Sequence, residues 1–145
     1  MKRLTLIDKA FFLKKTPLFQ SLDLDLLLPI ADKLALQTYD ANEKVFHTGE
    51  EGSRMYFLLK GTIQLYDLNN QLLYKIEESD FFGEEAIFNE KKRGYTALTQ
   101  EECVLLTLSR THLLTIISEC PSVAISFLQI YTNNLPNFLR MRIDK

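Results

Sequence analysis

The sequence is poor in the residues from which catalytic and metal centres are usually built. Its two histidines are His47 and His112, and neither has a second ligand at metal-binding spacing. His47 stands at a strand end before a glycine turn and His112 near a helix start, and both read as structural or surface residues. The two cysteines, Cys103 and Cys120, make no CxxC pair. They read as reduced thiols of a cytoplasmic protein and not as a zinc site or a disulfide. Five glycines, at 49, 52, 61, 83 and 94, are too scattered for a dinucleotide fingerprint, and there is no GxSxG, HExxH or GxxxxGK(S/T). No nucleophile or base has a visible partner, which argues against an enzyme.

Long apolar runs are also missing, so no segment reads as spanning a membrane. The opening "MKRLTLIDKAFFLKK" is basic, but it carries Asp8 and Lys9 where an apolar core would lie, and it has no small-residue cleavage site. It does not read as a signal peptide. Acidic residues outnumber basic ones by only two, 19 to 17. A net charge of −2 argues against a direct nucleic-acid surface, because polyanion binders carry a basic surplus. What remains is an ordinary globular composition: 46% apolar and 25% charged over 145 residues, one domain's worth of chain, able to bury a core without staples. No internal repeat, low-complexity stretch or linker interrupts it.

Three regions emerge from the patterning. Residues 1–35 predict N-terminal helices. "LTLIDKAFFLKK" sets Leu4, Ile7, Phe11 and Phe12 at helical spacing, and after Pro17 an apolar helix follows with Asp23 or Asp25 as its N-cap. Pro29 fits that helix if it starts late, and otherwise kinks it. Residues 36–109 hold short apolar runs separated by turn residues: Ala41-Asn42, Thr48-Gly49, Glu51-Gly52, Lys60-Gly61 and Asn69-Asn70. Asn and Gly tolerate positive φ, so each pair reads as a turn. Strands at such spacing imply a sandwich, jelly roll or barrel, with "CVLLTLS" as the last strand. Residues 110–145 return to helix. Ser109 caps "RTHLLTIISE", and Pro121 stands near the first position of "PSVAISFLQIYTNNL". The latter puts Val123, Phe127, Ile130 and Tyr131 on one face, joined by Leu128 and Leu135, and Pro136 ends or bends it.

One segment has the makings of a ligand grip. In "FFGEEAIFNEKKRG" (81–94) a strand closes on Phe81-Phe82, and Gly83 permits a close backbone approach. Glu84 to Phe88 can form one helical turn, whose N-terminal N–H groups suit an anion. Arg93 can meet a phosphate with two parallel hydrogen bonds. Glu84, which would repel a phosphate, suits a sugar hydroxyl. By spacing alone, the competing reading is a solvated charged loop.

The segment closely resembles the phosphate-binding cassette of cyclic nucleotide-binding domains, which occur in catabolite activator-type regulators, in regulatory subunits of cyclic-AMP-dependent protein kinase and in cyclic nucleotide-gated channels. That cassette runs Phe-Gly-Glu, then apolar, small and apolar residues, then after a gap Arg and small residues. Here it reads Phe82-Gly83-Glu84-Glu85-Ala86-Ile87, then Arg93-Gly94-Tyr95. The likeness extends from Leu18 to the C-terminal helices. Gly49, Gly52, Tyr56 and Gly61 stand as further signposts in order, ahead of "CVLLTLSR".

The resemblance implies a mainly β fold with flanking helices, an antiparallel β-roll of double-stranded jelly-roll type, with the cassette at 81–95. It implies a non-catalytic, cyclic nucleotide-binding sensor, cyclic AMP more than cyclic GMP, whose ligand-binding residues are Phe82, Gly83, Glu84, Glu85, Ala86, Arg93, Gly94 and Tyr95. Glu84 would accept from the ribose 2′-hydroxyl, Arg93 would pair with the cyclic phosphate, and backbone amides near Gly83 and after Arg93 would complete the cradle. The last helix would move as a lid. The chain reads as a stand-alone receiver that contacts an effector protein or a second copy. Four positions depart from the pattern. Asn42 replaces a turn glycine, Glu85 an apolar residue, Gly94 a small residue that often bears a hydroxyl, and Tyr95 an alanine. Glu85 needs a partner if it faces inward, and the Tyr95 ring either crowds the phosphate or points into the core. A degenerate fold without nucleotide, serving as an interaction or dimerisation module, is the alternative. An enzyme of cupin type lacks the metal-binding histidines it would need.

Overall fold

In the computed structural model, which describes residues 3–133, two four-stranded antiparallel sheets face each other and helices flank them. The chain begins with helix α1 (Leu6–Lys14), where Thr5 and Asp8 form a reciprocal capping box. The periodicity there suggested an inward face including Ile7 and Phe11, but both are 55% exposed, while Ala10, Phe12 and Leu13 are buried. In a helix of nine residues two adjacent stripes are both apolar, and packing chooses between them. Helix α2 (Leu24–Asp32) starts directly after Asp23 and keeps Pro29 inside, so the late start offered for Pro29 does not occur.

Strands β1 (Ala35–Tyr39), β2 (Lys44–Phe46), β3 (Arg54–Lys60), β4 (Ile63–Tyr66), β5 (Leu72–Ile76), β6 (Phe81–Phe82), β7 (Thr96–Thr99) and β8 (Cys103–Ser109) follow, with helix α3 (Glu85–Asn89) set between β6 and β7. One sheet has the order β1-β8-β3-β6 and the other β2-β7-β4-β5. Ser109 caps α4 (Arg110–Glu119) by accepting from the His112 N–H, as the sequence suggested. Pro121 takes the N-cap position of α5 (Ser122–Thr132).

Two cores result. Leu13, Phe19, Leu27, Phe57, Leu106 and Phe127 belong to the one that joins the helices to the first sheet. Phe46, Tyr56, Leu58, Ile63, Phe82 and Leu105 fill the space between the sheets. Strand β8 feeds both, and this explains why "CVLLTL" is an unbroken buried run and not an alternating one. Asn42 adopts φ 63° and so does the work of the glycine it replaces. Gly49 and Gly61 also have positive φ, but Gly52 does not, so its turn reading is corrected: the glycine at 52 answers to Arg93, as described below. Among the described residues no single helix is long and apolar enough to cross a membrane, and no cluster of three or more His, Cys, Asp or Glu residues could hold a metal. The positions of Leu135 and Pro136 lie outside the described residues.

Candidate functional site

The cassette is held by backbone first. Strand β6 ends at Phe82, and Gly83, with a φ of 85°, turns the chain into Glu84 and α3. After Glu90, itself left-handed at φ 52°, the chain returns to β7. Its path is pinned to the β2–β3 turn: Arg93 N–H donates to Glu50 O at 2.8 Å, and Gly49 N–H donates to Arg93 O at 2.7 Å.

Arg93 points inward. It is only 3% exposed. Nη1 donates to Gly83 O at 2.7 Å and Nη2 to Arg54 O at 2.7 Å. Its Cζ lies 4.1 Å from the centre of the Phe46 ring, close enough for the ring face to attract the cation. Gly52 makes room for it. A Cβ at that position would fall onto Arg93 Nε, 2.6 Å from Cζ and 2.9 Å from Ala86 Cβ. The Nε itself is buried without a hydrogen-bond partner. Buried polar atoms are nearly always paired, and this donor is an exception within the cassette.

Glu84 looks elsewhere. Its Oε2 accepts from the Tyr131 hydroxyl at 2.6 Å, a contact between the cassette and α5. Burial raises the Glu84 carboxyl above its ordinary range, and the bond from Tyr131 works in the opposite direction. The Tyr131 phenol is pushed up in turn, by burial first and then by Glu84.

The two unusual neighbours take defined places. Glu85, 39% exposed, sets Oε1 3.5 Å from Arg93 Nη1, so the partner it needs is the cassette arginine. The Tyr95 ring packs on Phe46 with centroids 5.3 Å apart, and its hydroxyl accepts from Gly83 N–H at 3.1 Å. That amide is among those the resemblance assigns to the phosphate cradle. Burial, and then Glu85, raise the Tyr95 phenol. Phe82 is stacked on Tyr56 in the inter-sheet core, centroids 5.2 Å apart. Ala86 is buried. At Gly94 a Cβ would meet nothing within 4 Å.

The eight expected positions thus lie on one segment but do not share one cavity. Glu84, Glu85 and Tyr95 line a cavity of about 430 Å³, together with Leu65 and Phe82 of the roll and Tyr131 of α5. Arg93 lines a smaller cavity of about 190 Å³ with Phe46, Gly52 and Tyr56. Glu85 links the two, lining the first and reaching the guanidinium of the second. The sequence reading missed Phe46 beneath Arg93, since "KVF" reads only as strand. It flagged Tyr131 but not its bond to Glu84.

The family model of the cyclic nucleotide-binding domain matches residues 36–120, a span that contains the whole cassette. Among curated proteins the chain is similar to a cAMP-dependent protein kinase regulatory subunit of Debaryomyces hansenii, 29% identical over 100 residues, covering 69% of this chain and 22% of that protein. It is also similar to cGMP-dependent protein kinase 2 of Homo sapiens, 29% identical over 98 residues, covering 64% of this chain and 13% of the kinase. The chain therefore spans about a fifth or less of the length of these relatives. Among solved structures, the Thermus thermophilus catabolite activator protein superposes with a TM-score of 0.80 at 24% identity, covering 89% of this chain and 62% of that one, a likeness of fold. The β-roll, the ordered cassette and the matched span agree: the chain belongs to the cyclic nucleotide-binding domain family.

Proposed function

We propose that this chain is a non-catalytic regulatory domain that binds a cyclic nucleotide, cyclic AMP in preference to cyclic GMP, and signals through α5. The observation that carries the reading is the buried guanidinium of Arg93, fixed by two carbonyls and still holding an unpartnered Nε. A preorganised, water-excluded cation of this kind suits a phosphate oxygen. Glu84, on the same segment, would accept from the ribose hydroxyl. Its bond to Tyr131 makes α5 sensitive to whatever reaches that carboxylate. The curated relatives are named for cAMP and for cGMP. Gly94 offers no hydroxyl to a guanine nucleotide, which favours cyclic AMP. The exposed residues Leu128 and Tyr131 of α5 are where an effector protein or a second copy would be contacted. A single regulatory unit, in a cytoplasmic setting that keeps Cys103 and Cys120 reduced, is part of the same reading.

A second reading has its own support. Glu85 stands beside Arg93 and the Tyr95 hydroxyl holds Gly83 N–H, so the chain itself supplies two of the contacts a phosphate would make. This favours a fold that needs no nucleotide. Calorimetric titration with cyclic AMP and cyclic GMP separates the two. Saturable heat at micromolar nucleotide, lost in Arg93→Lys while the melting profile stays cooperative, supports the sensor. Absence of heat from the wild-type chain and from every Glu85 variant described below supports the nucleotide-free fold.

A further inference from the structure

The carboxylate of Glu85 is the one acidic side chain at salt-bridge distance from Arg93 among the described residues. It stands at the position where the family's pattern has an apolar residue. The two partners differ in freedom. Arg93 is tied to Gly83 O and Arg54 O, lies against the Phe46 face and is walled by Gly52. Moving it would leave two carbonyls without donors. Glu85 is 39% exposed on its side chain, and its contact to Nη1 is long at 3.5 Å. Of the pair, only the carboxylate can yield to an incoming anion, by turning toward solvent.

We infer that Glu85 is a specificity-determining residue whose negative charge, set beside Arg93, weakens phosphate binding and discriminates by ligand charge. The inference rests on the proposal that the cassette binds a nucleotide. The physical basis is simple. The carboxylate stands 3.5 Å from Nη1 of the guanidinium, so a phosphate that pairs with Arg93 must approach its negative charge or turn it toward solvent. Repulsion scales with the charge brought in. A cyclic phosphodiester carries one negative charge, whereas a phosphomonoester carries close to two at neutral pH. The penalty imposed by Glu85 is therefore larger for 5′-AMP than for cyclic AMP. The Tyr95 hydroxyl on Gly83 N–H occupies a neutral donor and adds no such dependence on charge.

The experiment is calorimetry of the wild-type chain, Glu85→Gln and Glu85→Leu, each titrated with cyclic AMP and with 5′-AMP, with melting curves to show that all three fold. Glu85→Gln keeps the volume and removes the charge. Both variants are expected to bind cyclic AMP on the order of tenfold more tightly than wild type, the loss of one charge-assisted contact, with a larger gain for 5′-AMP. A gain in Glu85→Leu but none in Glu85→Gln overturns the inference, because shape and not charge would then set affinity. Equal affinities in all three proteins overturn it while leaving the nucleotide reading intact. No heat from any protein with either ligand overturns the nucleotide reading and this inference with it.

Discussion

The Tyr131 hydroxyl donates to Glu84 across 2.6 Å, joining residues 47 apart in the chain. One belongs to the last described helix and the other is the N-cap residue of α3 within the cassette. The bond gives α5 a polar tether in addition to the apolar packing of Val123 and Phe127. Under the proposed function, a ligand hydroxyl and the helix would compete for this carboxylate.

Tyr131→Phe tests the tether without changing the ring. The phenylalanine keeps the stack on Phe127, whose centroid lies 6.3 Å away, and removes only the donor. We expect a stability loss of about 1 kcal/mol in urea unfolding, with faster amide hydrogen exchange confined to α5 and α3. An exchange pattern unchanged in α5 would mean that the apolar face alone holds the helix.

Arg93 is a structural residue as well as a binding candidate. Arg93→Ala strips the donors from Gly83 O and Arg54 O and opens a void beside Phe46. A loss of about 3 kcal/mol is expected. Arg93→Lys keeps the charge but cannot bridge two carbonyls with a planar fork, so its loss is expected to be smaller than that of alanine. If alanine melts like wild type, the guanidinium is not the anchor of the cassette.

Much of this was legible in the sequence. Turn residues at Asn42, Gly49, Gly61 and Asn70 mark four of the connections between strands, and all four have positive φ. The Ser109 cap and the Glu84…Arg93 segment were also readable, because each depends on neighbours in the chain. What was not legible depends on distance. The Tyr131–Glu84 bond and the Phe46 face under Arg93 join separate regions of sequence. The inward stripe of α1 is set by what packs on it and not by its own spacing. Gly52 is the clearest case: its turn-like setting in "EEGS" concealed that the missing Cβ is clearance for a guanidinium 41 positions later.

Gly52 and Gly94 make a matched pair. Neither has positive φ, so the left-handed strain that alanine meets at many glycine positions is absent from both. At Gly52 the new Cβ meets Arg93 and Ala86, whereas at Gly94 it meets nothing within 4 Å. Gly52→Ala is expected to destabilise by about 1–3 kcal/mol through overpacking, and Gly94→Ala to stay within about 0.5 kcal/mol of wild type. Thermal and urea unfolding of the two single variants check this directly. Equal effects would show that Arg93 is free to move aside.

The pH dependence of Glu84 has a definite sign. Burial raises its carboxyl above the ordinary value of 4.5, against the pull of the Tyr131 bond. Between the unfolded and folded pKa values the folded state binds more protons than the unfolded state. Stability from this group therefore falls as pH rises through that window. Above the folded pKa, the full cost of burying the charge is present. Below the unfolded value near 4.5, it is gone. Glu84→Gln removes the charge and leaves an amide oxygen to accept from Tyr131. The variant is expected to be more stable than wild type at pH 7.5, with the advantage shrinking as pH falls toward 4.5. Other titrating groups are common to both proteins and cancel in the difference. Urea unfolding of the pair at several pH values reads that difference. An advantage that grows toward acid would mean that the charged carboxylate is favoured in the fold, with Tyr131 outweighing burial.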